Sequence, residues 1–568
     1  MNQISRKRMI IIVFSIVLVQ LLICTYFMAY KKHYYYADDI YSYGAANSYG
    51  KLNPLQDEKY NVWIDGNTLV DFLTVSREEA FSYKNLNKTM ELDAHPPFYF
   101  VLLRTVCSFT PGVFSKWSGY VINAIGFIIL QIFLYRLTLY ISHERSIAIL
   151  VMTFFGVTSA TVNMMCFLRM YMLSTGFAVA FTFYCLKYVW ESEEKIFNMN
   201  LFLAGLFLYL DAVTDYFSII YAFFLALLLS SALLLKKKIK QALCFGISML
   251  ASVLLMFITF PVVFKQFRSD QPGLSGAKNY PYLLQLRTGI HVIMNSIFGI
   301  STPVYPSMIG YYCLWTICAL TILYFILLFL FRKEAWFRKS IKNVLTKCRN
   351  IAKSSLPYVQ TLFPIVAGCM IIVLIYSRFL LIYYYFYNSI RYFYLVTPFI
   401  AMTFLIFIFK GLRSDYIRML CTVVLIGISL IFGNKSFLGN RNMSVDLLAE
   451  TSGADVIVIE KKTDYFTYHI ADIMECNEYL FSTPQTLKED AAKEAISGKA
   501  LESNNMVLIL DINCDTMETS YVRTVNLKTK TEPNDHDNEV VEYFKQYLNF
   551  ENVEYLGTLE TCNVYKLK

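Results

Sequence analysis

Apolar blocks of roughly 18–25 residues, the length of a helix that crosses the hydrocarbon core of a bilayer, recur along most of this chain. They settle the fold class before any other feature is read. A backbone in lipid must satisfy its own polar groups, and blocks of this length do so as helices. The blocks run Met9–Tyr30, Ser118–Tyr140, Ser146–Val162, Met170–Trp190, Asn200–Asp211, Tyr216–Leu235, Ala242–Val263, Met308–Phe331, Leu362–Tyr384, Tyr392–Phe409 and Ile417–Phe432. That predicts an α-helical polytopic membrane protein with about eleven transmembrane helices, Asn200–Asp211 being short for a full crossing. Only 16% of the residues are charged, against about 25% in soluble domains.

Orientation follows from the basic residues. MNQISRKR precedes the first block, which is longer than a signal-peptide core and is followed by no small-residue cleavage site. It reads as a retained span with a cytoplasmic N-terminus. Lys236–Lys240 (KKKIK) and Arg332–Lys353 then both fall on the cytoplasmic side, as the positive-inside rule requires. These loops account for the net charge of +9 without a nucleic-acid partner. The expected location is the plasma (cytoplasmic) membrane, with the C-terminus extracytoplasmic.

The chain divides into a membrane part, 1–433, whose first outer loop spans 31–117, and a polar part, 434–568. In the latter, Asp455–Glu460 and Met506–Asp511 read as buried strands, Lys488–Ile496 and Glu539–Leu548 as helices, and Val553–Leu567 as a hairpin. This predicts a small extracytoplasmic α/β domain, with no P-loop or GxGxxG to bind a nucleotide. Most of the 13 cysteines lie in apolar spans as small hydrophobes, and none has zinc-site spacing. Cys514 and Cys562 fall in the polar tail, where a disulfide between them is one option beside two free thiols.

Chemistry-bearing residues gather on the outer side. YYYADDIYSYG places Asp38 and Asp39 among tyrosines just past the first span. A carboxylate desolvated by aromatics gains basicity, which a general base needs. ELDAHPPFYF places Asp93 and His95 before a Pro-Pro that restricts the backbone and favours an extended approach. The following Phe98–Phe109 segment is interrupted by Arg104 and reads as a surface-lying helix. Arg169, Arg287 with His291, and Arg391 lie near outer span ends, where arginine wants a partner, a cavity or an anionic head group.

The ordered set of Asp-Asp in the first outer loop, D-x-HPP-F-Y, R-x-Y at a span start, a middle Tyr-Phe and a late R-Y-F resembles the GT-C superfamily of membrane glycosyltransferases. The resemblance points to the branch of bacterial protein O-mannosyltransferases and aminoarabinose transferases, and covers Met9 to about Phe432. It implies a polyprenyl-phosphate sugar donor, a catalytic acid at Asp38, a second acid at Asp39, and pocket residues at Asp93, His95, Arg169, Tyr171, Arg391 and Tyr392. One departure is Asp215 in VTDYFS, where many relatives carry His.

The expected reaction is a single inverting displacement at the outer face, with Asp38 as base and Arg391 or Arg287 facing the lipid phosphate. The acceptor is a protein, a lipid or a cell-wall polymer. The carboxylates and imidazole of the loop leave room for a divalent metal on Asp39, Asp93 and His95. A transporter or flippase of lipid-linked saccharides is one competing reading; it predicts two related halves with broken helices, which the sequence does not display. A membrane polysaccharide polymerase, or a catalytically dead relative acting as a scaffold, is another, and the intact Asp-Asp and D-x-HPP argue against a dead site.

Overall fold

The computed structural model describes residues 6–32, 34–54, 60–191, 196–268, 282–300, 361–379, 388–412, 414–438, 446–460, 469–511, 539–548, 550–559 and 562–568. Helix α1 (Arg6–Tyr30) leads into a loop that carries α2 (Ala37–Asn47), strand β1 (Trp63–Asp65), α3 (Asn67–Leu73), α4 (Lys84–Met90) and α5 (Phe98–Cys107). The bundle continues with α6 (Lys116–Ser142), α7 (Arg145–Phe155), α8 (Ser159–Cys166), α9 (Tyr171–Glu191), α10 (Met199–Ala212), α11 (Ser218–Leu235), α12 (Ile239–Thr259), α13 (Val262–Arg268) and α14 (Tyr282–Phe298). Helix α15 (Thr361–Phe379), a 3-10 stretch Asn388–Val396, α16 (Thr397–Gly411) and α17 (Asp415–Phe432) complete it.

Among the described residues, eight helices are long and apolar enough to cross a membrane. They correspond to eight of the eleven sequence blocks. The Ser146–Val162 block is the pair α7 and α8, bent by 54° at its break. The Asn200–Asp211 block is the 14-residue α10. Met308–Phe331 lies outside the described residues, as does Cys514. The protein is a multi-pass membrane protein.

Burial ranks the helices. In α9, 94% of the most apolar 18-residue stretch is buried inside the protein, against 17% in α1. Helix α9 is therefore the axis of the bundle, while α1 turns Ile10, Phe14, Leu18 and Leu22 outward to lipid. Helices α6 and α9 meet at two glycines. A Cβ on Gly126 would lie 2.7 Å from Leu173 Cα, and one on Gly176 would lie 2.7 Å from the Gly126 carbonyl oxygen. Such close approach is how helices gain packing energy where lipid supplies no hydrophobic drive.

The polar domain is a six-stranded mixed sheet, ordered β1-β3-β2-β4-β6-β5. Strands β2 (Asp455–Ile459) and β4 (Met506–Asp511) are buried throughout, consistent with their continuous apolar runs. Strand β3 (Glu478–Ser482) pairs with β2 in parallel; β5 (Val553–Leu559) and β6 (Cys562–Leu567) form the expected hairpin. The helices of this domain are the short α18 (Leu447–Thr451) and the longer α19 (Asp490–Glu502) and α20 (Glu539–Tyr547). Ile457, Leu480 and Leu508 face Ile496 and Phe544 of the two longer helices. Val456, Val458, Tyr479 and Ile509 instead join the core that runs on into Leu69, Phe72 and the bundle.

The first loop supplies one strand of that sheet. Strand β1 pairs antiparallel with β3, Ile64 opposite Tyr479. Asn61 Nδ2 donates to the Thr486 carbonyl at 2.8 Å, and Trp63 Nε1 donates to the Ala495 carbonyl at 2.9 Å. The loop and the polar domain thus share one end of the bundle.

Helix α5 departs from the surface-lying expectation. Arg104 is fully buried, with Tyr99, Phe100 and Leu103. Its guanidinium donates to the carbonyls of Ser82, Ala46 and Asn47 and pairs with Glu79. Five donors in one planar group let an arginine close loop backbone from inside, so the charge does not force the helix to the surface.

Replacing Trp63 with alanine removes the bond to Ala495 and the ring beside Lys499. We expect a loss of about 2–4 kcal/mol, read as a lower thermal midpoint in detergent together with faster proteolysis within 48–62. An unchanged proteolysis rate would show that β1 does not hold the loop.

Candidate active site

Helix α2 sets the geometry. Neighbouring residues on a helix point about 100° apart, whereas residues four apart share a face. Asp39 and Tyr43 face the scaffold. The Asp39 carboxylate accepts from Lys32 Nζ at 2.6 Å, from Tyr36 N at 2.9 Å and from Leu168 N at 2.7 Å. Tyr43 donates to the Ser115 carbonyl at 2.6 Å and accepts from Gly119 N at 3.0 Å. Asp38 and Ser42 face the other way, toward two arginines.

Asp38 forms an ion pair with Arg391 Nη1. Arg391 Nη2 donates to the Tyr392 hydroxyl at 3.0 Å, and the guanidinium lies 5.0 Å from that ring's centre. Arg169 Nη1 donates to Ser42 Oγ at 3.3 Å, and its Nη2 lies 3.2 Å from His95 Nε2. Arginine can only donate, so Nε2 accepts, and the ring proton sits on Nδ1, which donates to Asp93 Oδ1 at 2.8 Å. One network therefore links Asp93, His95, Arg169 and Ser42 beside the Asp38–Arg391 pair.

The supports are specific. Arg169 and Tyr171 stand where the chain enters α9, the axis of the bundle. Asn123, buried on α6, lies 2.8 Å from the Phe167 carbonyl and holds that approach. The D-x-HPP stretch is seated by Gln266 of α13, whose Nε2 donates to the carbonyls of Met90 at 2.7 Å and His95 at 3.0 Å. The chain bends at Ala94 and His95, returning the imidazole to Asp93, where the prolines alone suggest an extended run. Pro96 and Pro97 are buried, and Phe98 N donates to the Val213 carbonyl at 3.2 Å.

A cleft opens beside the pair, lined by Tyr171, Asp215, Phe217, Tyr376, Arg391 and Tyr392. Asp215 is buried in the turn between α10 and α11 and accepts from Phe217 N at 3.0 Å. Burial pushes its carboxyl above the usual range, partly countered by His95 and Arg169. Asp38 goes the other way. Burial pushes it up, but Arg391 first, then Arg169 and His95, outweigh that and hold it below the usual range. The gain in basicity expected from the tyrosines is thus overridden by charge.

Of the residues singled out from sequence, Asp38, Asp93, His95, Arg169, Tyr171, Arg391 and Tyr392 come together. Asp39 does not join them, and the proposed metal set of Asp39, Asp93 and His95 does not converge. Asp39 is sealed on Lys32, and His95 Nε2 faces a guanidinium that would repel a cation. Arg287 lies half-buried on α14 one turn from His291, whose imidazole is held below its usual value by burial and by Arg287. Gln266 and Asn123 were not legible as site residues, because amides in apolar segments carry no motif.

No protein-family model matches the chain, and no curated protein matches it. Several solved structures are similar to it. An oligosaccharyltransferase of Archaeoglobus fulgidus, in complex with zinc and sulfate, is 12% identical, with 88% of this chain and 68% of that one covered and a TM-score of 0.44. The archaeal oligosaccharyltransferase AglB of Archaeoglobus fulgidus, in complex with an inhibitory peptide and a dolichol-phosphate, is 11% identical, with 89% and 70% covered and a TM-score of 0.42. ArnT from Cupriavidus metallidurans, bound to undecaprenyl phosphate, is 10% identical, with 99% and 98% covered and a TM-score of 0.35.

Lys32→Met leaves the Asp39 carboxylate buried without its cation. We expect it to cost about 3–5 kcal/mol, seen as a lower thermal midpoint, and Lys32→Met with Asp39→Asn to recover part of that loss. A single variant as stable as wild type would remove the pair from the scaffold. The Asp38–Arg391 pair has a pH signature. A lowered carboxyl adds stability above the unfolded value of about 3.9, and that contribution disappears as pH falls through the lower folded value. The gap in thermal midpoint between wild type and Asp38→Asn should therefore stay level from neutrality to about pH 4 and close only below it. A gap closing between about pH 5 and 6 would show that Asp38 is not held low.

Proposed function

We propose that this protein is an inverting glycosyltransferase that moves a sugar from a polyprenyl-phosphate donor to an acceptor at the outer face of the plasma membrane. The observation that carries the reading is the Asp38–Arg391 pair beside a cleft in the bundle. An ionised carboxylate and a guanidinium suited to a phosphate stand in contact, at the end of the bundle that carries the polar domain. The motif order in the sequence supports the same reading.

The donor's isoprenoid tail lies in the bilayer and its head enters the cleft. Its phosphate engages Arg391, a planar donor suited to phosphate oxygens. That contact draws the guanidinium away from Asp38, which loses the charge that held it low and becomes the stronger base. Asp38 takes the proton of the acceptor hydroxyl or amine as that group attacks the anomeric carbon. The bond from that carbon to the phosphate oxygen breaks, the configuration inverts, and the electron pair leaves on polyprenyl phosphate, whose charge Arg391 stabilises. Arg169, held by His95 and Asp93, keeps a second positive charge beside the developing one. Tyr171 and Tyr392 offer ring faces and hydroxyls to the sugar, and Arg287 is a further phosphate partner.

Asp38→Asn should leave a monodisperse, folded protein whose transfer of sugar from lipid-linked donor in reconstituted membranes falls by about 10²–10⁴-fold. Arg391→Lys should keep a charge but lose the planar fork, raising the donor concentration required at least about tenfold. Wild-type transfer by the Asp38 variant would mean that another group is the base.

A further inference from the structure

Away from the cleft, at one end of the central strands of the six-stranded sheet, three side chains of different chemistry meet in the core. Glu460 directly follows β2, and Cys562 opens β6 opposite Asp511, the last residue of β4. Glu460, His469 and Cys562 retain only 1%, 4% and 1% of their surface. His469 Nε2 lies 3.2 Å from Glu460 Oε1 and 3.3 Å from Cys562 Sγ. All three donor atoms lie within 4.8 Å of one another.

Among the described residues, the Glu460 carboxylate is poorly satisfied. An imidazole nitrogen offers one proton or one lone pair, yet Nε2 faces a carboxylate and a thiol together. Neither oxygen of the Glu460 carboxylate has a hydrogen-bond partner among the described residues. A buried carboxylate without donors is costly, and the ordinary resolution is a proton or a cation. Tetrahedral zinc, with bonds of roughly 2.0–2.3 Å, sets its ligand atoms about 3.3–3.6 Å apart, and the two separations from His469 Nε2 are compatible with that. A catalytic triad of Cys562, His469 and Glu460 is excluded by burial, since no substrate could reach the thiol.

We propose that Glu460, His469 and Cys562 bind one zinc-like divalent cation. Thiolate, imidazole and carboxylate together favour a borderline-soft ion over calcium or magnesium. Burial of all three ligands closes the site to any substrate, which makes it structural. It pins the ends of β2 and β6 to the turn that contains His469. That turn places Ile470 and Ile473 in the core shared with the first loop, so the metal braces the polar domain where it rests on the catalytic part. The site is independent of the sugar-transfer reading.

The test uses the full-length protein purified in detergent without chelators. Metal analysis should find roughly one zinc per chain. Exchange with cobalt(II) should give a near-ultraviolet thiolate-to-metal band. Cys562→Ser and His469→Ala should each lower the metal content at least about tenfold, while Cys421→Ser, on α17, should not. Should either variant misfold, wild type decides: zinc must protect Cys562 from alkylation, and a chelator must expose it. The proposal is overturned by wild-type protein that takes up no zinc and shows no cobalt–thiolate band. It is equally overturned by full metal content in both variants, or by a disulfide between Cys562 and Cys514.

Discussion

The buried contact between Lys32 and Asp39 decides where the first loop sits, and through it what the loop presents. Lys32 lies two residues past the first span and Asp39 lies in the first turn of the loop's first helix, each 2% exposed or less. Their pair, with two backbone donors on the same carboxylate, locks the helix against α8 and the approach to α9. A single step along that helix then turns Asp38 about 100° away from Asp39, to the side where Arg391 arrives from the 3-10 stretch before α16. Two adjacent acids thus divide the labour, one as anchor and one as candidate reactant. The separation is a consequence of helical pitch and needs no further device.

The sheet closes this arrangement from the polar side. Because β1 comes from the first loop, the C-terminal domain is joined to that loop by a strand ladder and side-chain bonds as well as by covalent linkage. Its inner face shares a core with Leu69 and Phe72 of the loop. A cleft built on a loop needs such a second layer, since side chains must be held to within about half an ångström of a working geometry. The proposed cation site lies on the same inner side and would stiffen the same contact.

Much of this was legible in the sequence, for physical reasons that also mark the limits. Crossings stand out because an unbroken apolar run as long as a bilayer is thick is rarely of use to a soluble fold, so eight blocks correspond directly to described helices. Short elements do not stand out. Trp63–Asp65 is too brief to show alternation, and Glu478–Ser482 mixes charge with aromatics. Arg104 suggested a surface helix, because a single charge says nothing about the carbonyls waiting for it in the fold. At the site, Asp38, Asp93, His95, Arg169 and Arg391 could be picked out because polar groups at span ends need a reason. Their pairing could not, nor could the different directions of Asp38 and Asp39. Glu460, His469 and Cys562 carry no legible signal, because spacing rules for metal sites recognise ligands close in sequence.

The central physical claim is that Arg391 is shared between the Asp38 carboxylate and a lipid phosphate. It can be measured without knowing the sugar, by the affinity of purified protein for undecaprenyl phosphate in detergent. Removing the competing carboxylate with Asp38→Asn should strengthen binding several-fold, and Arg391→Met should weaken it by roughly tenfold or more, about 1.4 kcal/mol. Affinities unchanged in both variants would contradict the account.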